Sequence, residues 1–123
     1  MRFYKSAANT GTHVGNLWDS SGNLLASATF TGETASGWQE VDFPNPVPVT
    51  ANNLYVASYH APAGHYSVDG YYLASSGADN APLHAPPNGS GTPNGPYAYG
   101  STSAFPSSTY NSANYWVDVV FNY

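Results

Sequence analysis

A chain of 123 residues with only 7% charged side chains, against about 25% in ordinary soluble domains, has room for one sizeable core and reads as a single domain. Its formal charge of −5 comes from seven acids against two cationic side chains, Arg2 and Lys5, which excludes the clustered cations that a nucleic-acid backbone or an anionic lipid surface requires. No apolar run reaches the roughly 18 residues of a membrane span, and the absence of cysteine removes disulfide scaffolds, thiolate metal sites and cysteine nucleophiles together.

Residues 2–5 open a series of short β-branched or aromatic runs, and no apolar stretch of the signal-peptide kind precedes them, so an export signal is expected outside this chain. Further strands are predicted at residues 14–19, 24–30, 38–43, 54–60, 71–74 and 115–123. Asp19-Ser20-Ser21-Gly22 joins the second and third as a hairpin turn, with Gly22 free to take positive φ. Pro44, Pro46 and Pro48 mark an extended crossing, because proline cannot donate to a central ladder. Residues 75–96 are Ala, Ser, Gly, Asn and Pro with Leu83 as the main apolar anchor, and read as one long loop. No dodecamer keeps a helical apolar period without Gly or Pro. The predicted fold is therefore all-β, a sandwich or jelly roll of antiparallel sheets spanning residues 1–123 as one module.

The ordered motifs Arg2-Phe3-Tyr4-Lys5, Gly11-Thr12-His13, Leu17-Trp18, the run from Thr29 through Gly32-Glu33-Thr34 to Gly37-Trp38-Gln39, Gly64-His65-Tyr66 and Asn114-Tyr115-Trp116-Val117-Asp118-Val119 resemble the bacterial family DUF4082 over essentially the whole chain. The resemblance implies a β-sandwich module of large extracellular proteins, set beside immunoglobulin-like, fibronectin-like and carbohydrate-active domains. It brings no catalytic residues with it. Members of the family carry a further strand before the segment matching Arg2 to Lys5, so an uncovered edge and self-association through it are expected here.

Alternate strand residues face opposite sides, which sorts the aromatics. Val41, Phe43, Val56, Val117, Val119 and Phe121 fall on apolar faces and are the predicted core. Trp18, Trp38 and Trp116 fall on the less apolar faces, Trp116 in phase with Asp118 and Trp38 in phase with Glu40 and Asp42. A sugar ring offers a face of C–H groups to an aromatic plane, and nearby carboxylates and amides take its hydroxyls. These tryptophans, Asp118, and the ring-rich segment Tyr59, His60, His65 and Tyr66 are accordingly the candidate ligand-binding residues, with a polysaccharide or other glycan as the partner.

The rival expectation is a structural spacer or adhesion module, in which the same tryptophans fill the interior. His60 and His65 imply no third metal ligand. No cofactor is expected, and a structural calcium ion is the single candidate, with the loop beginning at Asp19 lacking the carboxylate spacing of an EF-hand. No nucleophile elbow or facing carboxylate pair is evident, so the expectation is a non-catalytic extracellular module. Lys5, the one lysine, is the only side-chain amine from which an isopeptide staple could be built.

Overall fold

The computed structural model describes residues 1–89 and 93–123, and its described secondary structure consists of strands and turns with no helix. The sequence spells a glycosylation sequon at Asn88-Gly89-Ser90, to which no role is assigned, and Ser90 lies outside the described residues. Two compact units emerge where the sequence suggests one module: residues 1–67, 100–105 and 116–123 form the first, and residues 68–99 and 106–115 the second.

The first unit holds two three-stranded antiparallel sheets. In one, β1 (Arg2–Lys5) lies between β10 (Val117–Asp118) and β4 (Gly37–Glu40). In the other, β2 (Val14–Asp19) lies between β3 (Leu24–Thr29) and β5 (Tyr55–His60). Of the two places expected for an uncovered edge, the Arg2 to Lys5 strand or its neighbour, β1 is a middle strand and the outer rims of its sheet belong to its neighbours β4 and β10. Arg2 pairs with Asp118 on one side and Glu40 on the other, and Tyr4 pairs with Trp38.

The alternation of β1 sends Phe3 inward and Tyr4 outward. Phe3 is 0% exposed; its ring stacks on Tyr59 at 4.3 Å and meets the edge of Phe30 at 4.8 Å, and Met1 completes the buried cluster. Val41, Phe43, Ala57, Val117 and Val119 pack around it as partly buried residues. The predicted inward phase of the last strand agrees with its burial, since Val117, Val119 and Phe121 are half-buried while Asp118, Val120 and Asn122 are exposed. Gly15 is needed for close packing here, because a Cβ would come within 3.1 Å of the Phe30 ring and 3.3 Å of Met1.

The turn after β2 is built by Asp19. Its carboxylate accepts hydrogen bonds from the Ser21 and Asn23 backbone amides and the Asn23 side chain at 2.8–2.9 Å, while Gly22 takes φ 87°. These donors hold the Asp19 carboxyl below its usual range, the Asn23 amide foremost.

β2 is buried on both faces: Gly15, Asn16, Leu17 and Trp18 are all inaccessible. The segment 100–105 lies against it, with Phe105 edge-on to Trp18 at 5.7 Å and Ser103 accepting from the Asn16 amide at 3.1 Å. The strand phase of Trp18 was read as solvent-facing, but that inference needs one bare face, and residues 100–105 cover it. Beside the rim strand β3, Pro44 to Pro48 line a shallow groove with Leu25 and Ser27, consistent with the predicted extended crossing.

In the second unit, the expected loop contains a hairpin, β6 (Ala78–Asn80) with β7 (Leu83–Ala85), turning through a cis Ala81–Pro82 bond. β8 (Pro96–Tyr97) pairs with β9 (Ser108–Thr109). Residues 71–74, predicted as a strand, are a turn instead. Tyr71 adopts φ 62°, its amide donates to the Asn111 carbonyl, and Leu73 is drawn inward with its amide on the Ser112 carbonyl. Asn88 ties this unit together, donating its backbone amide to Leu73 and its side-chain amide to Ser112.

Candidate functional site

Every outward position of the β10-β1-β4 sheet carries a side chain that can engage a ligand. Along the middle strand these are Arg2 and Tyr4; on β4, Trp38 and Glu40; on β10, Asp118. Trp38 is 45% exposed and Tyr4 44%, high values for residues within a sheet. Their rings meet edge to face at 5.5 Å and 85°. The Arg2 guanidinium lies 4.9 Å from the centre of the Trp38 indole and 3.3 Å from the Asp118 carboxylate. A cation over one indole face polarises the ring and fixes its rotamer, so the tryptophan is held in position while much of it remains accessible.

The candidate tryptophans therefore part company. Trp18 is 7% exposed, and its Nε1 donates to Ser58 Oγ at 2.8 Å, so it belongs to the interior. Trp116 is half-buried, and its φ of 53° breaks the extended geometry on which strand alternation with Asp118 depends, just before β10. Its carbonyl accepts from the Tyr4 amide at 2.9 Å. Trp38 alone among the three reaches solvent broadly, and Asp118 is connected to it through Arg2.

The ring-rich segment does not form a single rim. Tyr59 stacks on Phe3, and burial pushes its phenol up to about 12, with a smaller lift from Tyr66 and a smaller opposing effect of Asn9. His60 places Nε2 2.9 Å from the Gly100 carbonyl. His65 and Tyr66 are exposed; His65 turns the chain with φ 57°, and its carbonyl accepts from Ser6 Oγ at 2.6 Å.

Beneath Tyr4 and Trp38, the inward side of the same sheet holds a polar chain that sequence reasoning missed. The Lys5 ammonium lies 3.2 Å from Glu33 and donates to the Thr34 carbonyl at 3.0 Å. Glu33 accepts from His13 Nδ1 at 2.8 and 3.0 Å, and His13 Nε2 meets the Asn9 side chain at 2.7 Å. His13 is 0% exposed, and the Lys5 and Glu33 side chains are 11% and 12% exposed. Burial raises the Glu33 carboxyl, but the combined hydrogen bonds and charges of His13 and Lys5 outweigh it, leaving a net downward shift. The amine proposed for a staple is thus engaged in an ion pair, with His13 interposed between Glu33 and Asn9.

The clue to this chain was Lys5 itself, which shares the inward phase of Phe3 and therefore needs a buried acid. Tyr4 was likewise legible as the outward neighbour of Phe3. Among the described residues, no three His, Asp or Glu side chains gather as a metal-binding group.

The family model described as a domain of unknown function, DUF4082, matches residues 1–117. No curated protein and no solved structure matches the chain.

Proposed function

The chain belongs to the DUF4082 family, and from that premise we propose that it is a non-catalytic glycan-binding module of a bacterial extracellular protein, with the outward face of the β10-β1-β4 sheet as its site. The observation that carries this reading is the exposed Trp38–Tyr4 pair, steadied by Arg2 and bordered by Asp118 and Glu40. A solvent-facing indole on a rigid sheet supplies a stacking surface, and the adjacent carboxylates supply acceptors for sugar hydroxyls. Affinity at one such site is modest, and repetition of modules in a parent protein raises it by avidity. The low charge of the chain suits a setting outside the cell.

The spacer reading draws on Trp18, whose ring serves the interior. One pair of variants separates the two. Trp38→Ala is expected to leave thermal unfolding nearly unchanged while reducing retention on a polysaccharide ligand by about tenfold or more. Trp18→Ala is expected to cost about 3–5 kcal/mol of stability. Affinity electrophoresis through polysaccharide-containing gels, paired with calorimetric unfolding, measures both. Full retention by a folded Trp38→Ala variant would give the face to the spacer reading.

A further inference from the structure

Resting on that reading, we infer that the ligand is a single, uncharged polysaccharide chain, and not an acidic glycan or a flat crystalline surface. Two features of the face carry this.

The first is charge. Only Arg2 and Lys5 bring permanent side-chain cations to the molecule. Lys5 is enclosed against Glu33 on the inward side. Arg2 is already paired with Asp118, stacked on Trp38, and opposite Glu40 in the register, and its Nε is closed to solvent. The amino terminus is buried and donates to the Val41 carbonyl. The face thus sums to −1, from one cation and two carboxylates, within a chain of formal charge −5. A uronate or sulfated chain laid across it would bring anions against Asp118 and Glu40 with no uncommitted arginine or lysine to receive them. Like charges brought together across an interface select against such a partner. Neutral hydroxyls, by contrast, are good donors to those same carboxylates.

The second is ring geometry. A crystalline polysaccharide presents a plane, and gripping it needs several aromatic faces lying in one plane. Trp38 and Tyr4 stand at 85° to one another, and Arg2 occupies one face of the indole. Together they form an angle that receives one sugar ring against the exposed part of the indole with the tyrosine at its side. A flat surface would meet only one of the two.

The test uses the full chain and its Trp38→Ala variant at pH 8. Affinity electrophoresis is run with soluble neutral polysaccharides (β-glucan, xylan, galactomannan) and soluble uronate polysaccharides (alginate, polygalacturonate), and pull-down with microcrystalline cellulose. The expected result is retention by at least one neutral polymer that persists at high salt and falls about tenfold or more in Trp38→Ala. Retention by the uronates and by crystalline cellulose is expected to be at least about tenfold weaker. Trp38-dependent binding that favours a uronate or the crystalline surface would overturn this inference and leave the glycan-binding reading standing. No binding to any of the polymers, or binding indifferent to Trp38→Ala, would overturn both.

Discussion

Phe3→Ala is expected to be the most damaging single truncation in the molecule, lowering the stability of the first unit by about 3–5 kcal/mol. Phe3 is fully buried within the small core cluster. It stacks on Tyr59 from the opposite sheet, abuts the edge of Phe30, and lies 4.8 Å from the His13 ring. Truncation therefore leaves a cavity that no neighbour can fill without breaking another contact. One of those contacts positions the imidazole of the polar chain, so loss of the ring also loosens that network. Equilibrium urea unfolding measures the effect: the midpoint should fall sharply while the slope is retained. A change below about 1 kcal/mol would show that the core is more plastic than its packing implies.

Glu33→Gln is expected to cost about 3 kcal/mol at neutral pH, because it removes the counter-charge of a largely buried ammonium while preserving the shape of the side chain. Its pH dependence provides a second check. The Glu33 carboxyl is held below its ordinary range in the folded protein, so the stability it contributes is fully present above the unfolded glutamate value of about 4.3. That contribution disappears as pH falls through the lower folded value and the carboxylate is protonated. The difference between wild type and Glu33→Gln should accordingly be constant at neutral pH and narrow in acid. Asp19 is shifted in the same direction by its turn donors, so the wild type retains some further acid sensitivity, and the difference between the two proteins is the informative quantity. A gap that stayed constant into strong acid would show that the carboxylate charge is not what stabilises the network.

The elements legible in the sequence are those whose fate is decided locally. Strands at Arg2–Lys5 and Val14–Asp19 and the Asp19 turn follow from alternation and from an Asp side chain that can satisfy nearby amides. The outward phase of Trp38 and Asp118 is also a local property, and it locates the face. What alternation cannot show is what covers a strand. Trp18 has the same phase signal as Trp38, yet residues 100–105 lie over one and not the other. Trp116 takes a left-handed backbone angle that the sequence does not announce, so alternation does not fix its face. Residues 71–74 have strand composition, but their hydrogen bonds go to Asn111 and Ser112 in a turn. The Lys5–Glu33–His13–Asn9 chain joins residues that composition alone would assign to solvent, and only the inward phase of Lys5 hints at it.

The middle place of β1 sets an order on biosynthesis. Its ladder with β4 can close once residue 40 has been made, but its other rim receives β10 only when residues 117 and 118 have been made. The segment that covers Trp18 also comes late, at residues 100–105. Until those residues are made, a nascent chain therefore carries β1 with one open rim and an uncovered indole, and both invite pairing with neighbouring nascent chains. The interval in which β1 is uncovered ends when β10 arrives, so folding yield should depend more on the residues from 100 onward than their small share of the strand structure suggests.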